Sequence, residues 1–102
     1  MINSYHRITQ AEAKEMMKKD DGHVVVDVRR PDEFAEGHIP GAISVPLSVI
    51  EQVTLPKDKP LFVYCLRGTR SRRAVNRLKR MGYQNVQSIG GITSFKGQVE
   101  KE

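Results

Sequence analysis

The chain has 102 residues, the length of one compact domain, so we expect residues 1–102 to form a single domain. Hydrophobic residues make up 38% and charged residues 28%, a balance that excludes a disordered or fibrous chain. The net charge of +5 is unevenly distributed: residues 1–58 carry seven Lys or Arg and ten Asp or Glu, whereas residues 59–99 carry nine Lys or Arg and no acid. Such a field attracts anions, either small ones or nucleic acid.

The first half of the chain predicts short helices and strands in alternation. Thr9-Gln10-Ala11-Glu12 is a capping box that starts a helix, and the β-branched run over 24–28 is typical of a strand buried on both faces. In chain order we predict a helix from Thr9 to about Lys19, a strand over 24–28, a helix over 32–36 after Pro31, a strand over 42–45 and a helical piece from Pro46.

The second half continues the same alternation. In chain order we predict a strand over 61–65, a helix over 71–81, a strand over 85–89, and a short helix through Phe95. No apolar run approaches the roughly 20 residues that a membrane helix needs. Alternating strands and helices indicate an α/β fold with a central, mainly parallel sheet.

Cys65 stands at the carboxyl end of a predicted strand, the edge at which parallel sheets bind ligands. Residues 66–70 are predicted to form a tight loop that enters the next helix at Ser71. The N–H groups of such a loop converge on one point, and the positive end of the helix faces the same point. A thiol placed there should have a lowered pKa, because these dipoles stabilise the thiolate.

The loop residues add to this prediction. Gly68 allows a positive φ, and Arg67 and Arg70 can form charge-assisted bonds to an incoming anion. A lone cysteine at a strand end is most often a small buried hydrophobe. The combination of strand end, loop, helix start and one-sided charge favours a reactive thiol instead.

The rest of the chain indicates in which compartment the protein occurs and whether a metal takes part. With one cysteine the chain cannot form an intrachain disulfide, and residues 1–7 contain no apolar signal region, so we expect a cytoplasmic protein. Three scattered histidines and one cysteine lack the spacing of a metal site, so neither a metal nor a cofactor is predicted. We expect His38 to be structural.

Four segments in the same order resemble the rhodanese-like (sulfurtransferase) superfamily, over the whole length of a single-domain member. They are DVRRPDEF at 27–34, GHIPGAI at 37–43 followed by Pro46, VYCLRGTRS at 63–71, and MGY at 81–83 followed by Val86, Gly90 and Gly91. Each segment alone is weak, but four in order are specific. One departure is Phe95, since the family commonly has a tryptophan after the double glycine. The resemblance implies a three-layer α/β fold with about five strands flanked by helices.

The resemblance also implies a reaction. The Cys65 thiolate would attack the outer sulfur of an anionic donor, such as thiosulfate or a low-molecular-weight persulfide, and become a persulfide. The substrate-binding residues would be Leu66, Arg67, Gly68, Thr69, Arg70 and Ser71, whose amides hold the sulfur as in an oxyanion hole. A thiol, including a protein thiol, or cyanide would then remove the sulfur. Because there is no second cysteine, that acceptor must come from outside the chain.

Three further residues are expected to support the site. Asp27 and Arg29 should form an ion pair or turn bonds that hold their segment beside Cys65, and Glu33 should belong to the framework. Gly90 and Gly91 are expected to permit a tight turn. The basic residues over 72–80 form either a solvated helix face or a surface that steers a donor or a partner.

The sequence leaves other functions open. A cysteine phosphatase or arsenate reductase would also use a thiolate in an amide-lined loop, but only four residues separate Cys65 from Arg70, one fewer than in the related phosphatases, and Tyr64 replaces their histidine. A non-enzymatic or persulfide-carrying module is a second alternative. Nucleic-acid binding is a third, although the basic stretch lacks interleaved aromatic residues. We therefore expect neither nucleic acid nor a membrane as a partner.

Overall fold

A computed structural model of the chain describes residues 10–94, 99 and 101, and these residues contain one parallel sheet. Its strands are β1 (Val24–Asp27), β2 (Ile43–Ser44), β3 (Leu61–Cys65) and β4 (Val86–Gly91), in the order β2-β1-β3-β4. All three neighbouring pairs run parallel, which confirms the α/β fold. The described residues supply four strands, not about five. These four strands are the ones predicted individually from the sequence, whereas the expected number of about five strands was implied by the family resemblance.

Helical segments connect the strands. They are α1 (Gln10–Met17), α2 (Pro31–Glu36), α3 (Thr69–Arg80) and two 3₁₀ segments, Leu47–Gln52 and Ile92–Ser94. The predicted N-cap Thr9 and the predicted helix end Phe95 lie outside the described residues. No helix of the described part is long and apolar enough to cross a membrane.

Side chains that alternate along the central strands divide the core into two layers. Val26 and Val63 face α3 and pack in one apolar cluster with Leu78. Their neighbours Val25 and Phe62 face the other way, in a cluster that includes the methionines of α1. The sheet therefore lies between two helical layers, which confirms the three-layer arrangement. Since Cys65 follows Val63 by two positions, its side chain lies on the α3 face.

The helix α3 begins two residues earlier than the predicted Ser71. Gly68 precedes the helix with a φ of +115°, a left-handed conformation that glycine adopts without strain. Thr69 and Arg70 therefore lie in the first helical turn, and the connection from β3 is only three residues long, 66–68. This short connection brings the unpaired amides at the start of α3 close to the end of β3.

The double glycine lies inside β4, so the predicted tight turn is wrong. Gly90 has a φ of +91° and lies opposite the shift in β3–β4 register. Gly91 lies so close to the connection that a Cβ atom there would collide with the backbone of Leu66 and Arg67. Thr93, just after the strand, donates its N–H and its hydroxyl to the Leu66 carbonyl at 3.3 and 3.0 Å. The strand end is therefore needed as a support for this connection.

We predict that Gly91→Ala destabilises the protein by about 2 kcal/mol or more, because the obstructing atoms belong to a backbone that cannot move aside cheaply. The matched control is Gly37→Ala, since Gly37 is extended and a Cβ there would meet nothing closer than 3.4 Å. Urea unfolding followed by circular dichroism measures both variants. Equal stability of the two would contradict the close approach described here.

Candidate active site at the end of β3

The sulfur of Cys65 lies at the junction of β3 and α3, in contact with main-chain donors. The side chain is 1% exposed, and the Gly68 N–H donates to Sγ at 3.0 Å. The amides of Ser71 and Arg67 and the Ser71 hydroxyl also favour the thiolate form of Cys65. The first bond within α3 runs from the Arg72 N–H to the Gly68 carbonyl, so the preceding amides have no acceptor inside the helix.

These donors determine the ionisation of the thiol. Burial is the largest single influence, and it raises the pKa of Cys65 because a buried thiolate loses its hydration. The bonds from Ser71, Gly68 and Arg67 together outweigh burial, and the pKa of Cys65 falls below its ordinary value. This is the direction predicted from the position of Cys65 at a strand-to-helix junction.

A cavity of about 220 Å³ opens beside the sulfur, and we call it the Cys65 pocket. It is lined by Cys65, Leu66, Arg67, Thr69 and Arg70. Five of the seven residues predicted to react or to bind substrate therefore lie around one cavity, and the other two, Gly68 and Ser71, bond to the sulfur. The pocket opens a route from solvent to a side chain that is otherwise enclosed.

Arg70 is held by a carboxylate at the edge of the pocket. Its guanidinium donates two bonds to Glu33, with Nη1–Oε1 and Nη2–Oε2 distances of 2.7 and 3.1 Å. The same carboxylate accepts the Arg30 N–H at the start of α2, at 3.0 Å. The bonds from Arg70 lower the pKa of Glu33 to about 2, against an opposing effect of burial. Glu33, predicted only as framework, thus fixes the position of a pocket arginine.

The predicted contact between Asp27 and Arg29 is a buried ion pair. Asp27 is 0% exposed, and its Oδ2 lies 2.7 Å from Arg29 Nη2. Asp27 Oδ1 also accepts the Arg29 N–H at 2.9 Å, and Arg29 donates onward to the Gly37 carbonyl at 2.6 Å. These bonds fold residues 27–37 beside β3, where the Val28 N–H donates to the Tyr64 carbonyl. Neither side chain of the pair lines the Cys65 pocket.

Ser88 is a residue of the site that the sequence analysis missed. Its Oγ lies 2.8 Å from the Ser71 Oγ and accepts the Gly90 N–H at 3.2 Å. Because the Ser88 oxygen already accepts that bond, its own proton is available to the Ser71 oxygen, which leaves the Ser71 proton for the sulfur or for the Gly68 carbonyl. The available signal was a serine inside the predicted strand over 85–89.

The remaining polar residues of interest have structural contacts. His38 is 5% exposed, its ring stacks on Phe34 at 3.8 Å, and its Nδ1 lies 2.9 Å from the Phe34 carbonyl oxygen. Within the described part of the chain, no group of three or more His, Cys, Asp or Glu side chains is placed to hold a metal ion.

Comparison with known proteins identifies the family. The family model for the Rhodanese-like domain matches residues 9–98. The chain belongs to this family. A solved structure of a rhodanese-related protein from Thermoplasma volcanium covers 96% of the chain with a TM-score of 0.83 and 34% identity, and the match extends over 100% of that structure. The resemblance predicted from the four sequence segments is thus confirmed.

Several relatives of this rhodanese-like chain have names that include a sulfurtransferase activity. The chain is 35% identical over 95 residues to "Thiosulfate sulfurtransferase GlpE" of Coxiella burnetii, covering 90% of the chain and 88% of that protein. It is 37% identical over 79 residues to "Uncharacterized protein YqhL" of Bacillus subtilis, covering 74% of the chain. The chain spans 63% of YqhL and 21% of "Adenylyltransferase and sulfurtransferase uba4" of Ogataea parapolymorpha.

We predict that Ser88→Ala raises the pKa of Cys65, because Ser71 loses the partner that orients its hydroxyl. Ser71→Ala should raise that pKa further, since it removes the hydroxyl itself. The pH dependence of iodoacetamide alkylation reports this pKa directly, because Cys65 is the one thiol in the chain. Ser44→Ala, at an exposed position of β2, is the control. An unchanged pKa in Ser88→Ala would contradict the assigned role.

We predict that Glu33→Gln lowers the free energy of unfolding at pH 7 by on the order of 2 kcal/mol, because the carboxylate is ionised and bonded to Arg70 in the folded state. The folded-state pKa lies below the ordinary value of 4.5, so this stabilisation is present above pH 4.5 and is lost as the pH falls toward 2. The difference between wild type and variant should shrink over that range in urea unfolding. Glu36→Gln, at an exposed position of α2, is the control. A difference that did not change with pH would contradict the ion pair.

Proposed function

We propose that the protein is a sulfurtransferase in which Cys65 carries the transferred sulfur. The observation that supports this best is the set of amide and hydroxyl donors on Sγ, which lowers the pKa of a thiol that burial alone would keep protonated. A cysteine with a purely structural role needs no such donors. The match to the Rhodanese-like domain family and the sulfurtransferase names among the relatives support the same reaction class.

In the first step the Cys65 thiolate attacks the outer sulfur of thiosulfate or of a small persulfide. With thiosulfate, a bond forms between Sγ and that outer sulfur, the sulfur–sulfur bond of the donor breaks, and sulfite leaves with the electron pair. The anionic terminal sulfur then lies among the amides of residues 66–71, which act as an oxyanion hole does. The exposed Arg67 and the half-buried Arg70 attract the negatively charged donor into the pocket.

In the second step an acceptor takes the sulfur. A thiolate or cyanide attacks the outer sulfur of the Cys65 persulfide, the bond to Sγ breaks, and Cys65 is left as the thiolate with which the cycle began. No electrons are gained or lost overall. With one cysteine in the chain, the acceptor is a separate molecule, and a reducing compartment such as the cytoplasm would keep acceptor thiols available.

The phosphatase alternative is disfavoured by the length of the loop. Four residues separate Cys65 from Arg70, one fewer than in the related phosphatases, and the tighter ring suits a sulfur atom better than a phosphoryl group. We expect no release of phosphate from an aryl phosphate ester.

The proposal predicts that thiosulfate adds one sulfur atom to the wild-type protein and none to Cys65→Ser. Serine lacks the nucleophilic thiolate but is nearly the same size, so the fold should persist. Intact mass spectrometry detects the added sulfur, and a colorimetric assay for thiocyanate measures transfer to cyanide. A serine variant that still formed thiocyanate would exclude Cys65 as the nucleophile. A wild-type protein that gained no sulfur would favour the non-enzymatic module.

A second variant tests whether Arg70 attracts the negatively charged donor. Arg70→Ala should raise KM for thiosulfate several-fold while it changes kcat little, because Arg70 contacts the pocket but lies outside the set of donors to the sulfur. Steady-state kinetics with thiosulfate and with glutathione persulfide as donors measure KM and kcat for the wild type and the variant. A fall in kcat with unchanged KM would contradict a role in donor attraction.

A further inference from the structure

Four arginines of α3 form a row along one side of the helix, and we call this row the arginine stripe. Its members are Arg70, Arg73, Arg77 and Arg80, spaced three, four and three residues apart. This spacing places them on one helical face, over a length of about 15 Å. The buried face of α3 is formed by other residues, among them Ala74 and Leu78.

The acidic half of the chain neutralises only part of the stripe. Arg70 pairs with Glu33 at 2.7 Å, and Arg77 lies 3.8 Å from a Glu51 oxygen. Arg73 and Arg80 are exposed, and neither forms an ion pair with an acidic residue in the part of the chain that the structure describes. Among the described residues, these two cationic side chains have no acidic partner and can bind an external anion.

The stripe is not explained by the stability of the helix. α3 contains six Lys or Arg and no acid, and like charges three or four residues apart destabilise a helix. The cations of the last turn gain from the negative end of the helix dipole, but Arg73, near the middle, does not. Arg73 repels both Arg70 and Arg77 from its position in the row. An anionic partner would offset this repulsion.

The stripe begins at the site of sulfur transfer. Arg70 lines the Cys65 pocket and also a neighbouring groove of about 340 Å³, which it shares with Arg77. Val28 and Leu47 give that groove an apolar wall. A chain segment that lay along the stripe with its end at Arg70 would present that end to the mouth of the Cys65 pocket.

We infer that the arginine stripe binds an acidic protein segment whose cysteine thiol is the acceptor of the sulfur held on Cys65. This inference rests on the proposed function and names its acceptor class. The acceptor thiolate attacks the outer sulfur of the Cys65 persulfide, the bond from that sulfur to Sγ breaks, and Cys65 keeps the electron pair. The carboxylates of the partner bind Arg73 and Arg80 and raise the local concentration of the thiol at the pocket.

Nucleic acid fits the surface less well than an acidic protein. Recognition of single-stranded RNA or DNA commonly uses exposed aromatic rings on which bases stack. The four Phe and Tyr residues of the described segment, Phe34, Phe62, Tyr64 and Tyr83, are all buried. The stripe therefore offers charge without a stacking platform.

The test uses three peptide acceptors of equal length, each with one cysteine and a run of Glu, Gln or Lys. The rate of sulfur transfer from persulfidated wild-type protein should be about tenfold higher in kcat/KM for the Glu peptide than for the Gln peptide at low salt, and lowest for the Lys peptide. High salt should remove the difference, because exposed charges are screened. Equal use of the three peptides at low salt would overturn the inference.

Two double variants distinguish the effect of the arginine stripe from the effect of the net charge of α3. Arg73→Glu/Arg80→Glu should reverse the preference and leave transfer to cyanide unchanged, since neither residue lines the Cys65 pocket. The matched control is Arg72→Glu/Lys79→Glu, which makes the same charge change on the same helix, with the same seven-residue separation, on the opposite flank of the buried face. The control should keep the preference for the Glu peptide. An equal loss in both variants would overturn the inference.

Binding supplies a readout that does not depend on transfer. The same peptides, fluorescently labelled and with their cysteine alkylated, should bind wild type in the order Glu, Gln, Lys by fluorescence anisotropy, and only the Arg73/Arg80 variant should lose that order. Tighter binding of a single-stranded RNA than of the Glu peptide, abolished by the same variant, would overturn the inference in favour of nucleic acid. Failure of transfer to cyanide would contradict the proposed function, whereas failure of peptide discrimination alone would contradict only this inference.

Discussion

The proposed chemistry of this molecule depends on one contact, between the sulfur of Cys65 and the main-chain donors where β3 meets α3. Burial opposes a charge on that sulfur, and the Gly68 and Ser71 donors have to overcome it. They can do so only because no more than three residues, 66–68, separate the strand from the helix, with Gly68 in a left-handed conformation. The short connection, the helix start and the ionisation of the thiol are therefore one structural feature.

The uneven charge of the sequence has a structural counterpart around this contact. Acidic residues from the first half of the chain pair with arginines of the basic half, as Glu33 does with Arg70 and Glu51 with Arg77. The acidic half thereby positions Arg70 and Arg77 and leaves Arg73 and Arg80 of the same helix exposed. The buried pair of Asp27 and Arg29 has a different role, since it shapes the segment that carries Glu33 to the pocket.

Much of the fold could be predicted because its signals are local. The apolar run of β3 and the helical spacing of Ala74, Val75 and Leu78 each lie within one segment, and the structure places them as expected. The pairing of Arg70 with Glu33 joins residues 37 positions apart, and the Ser71–Ser88 contact joins residues 17 apart. No periodicity within a segment reports such contacts. The start of α3 and the role of Gly91 were missed because both depend on how closely two backbones approach.

The support of the Cys65 connection by the end of β4 has a consequence for biosynthesis. Leu66 is held by Thr93, and Gly91 lies against the same backbone. A ribosome therefore polymerises the thiol and its helix well before the residues that brace them. Until Gly91 and Thr93 have emerged and β4 has added to the sheet edge, the nascent chain lacks the contacts that hold the connection beside Cys65. The lowered pKa of Cys65 should accordingly appear late in translation, together with the last strand.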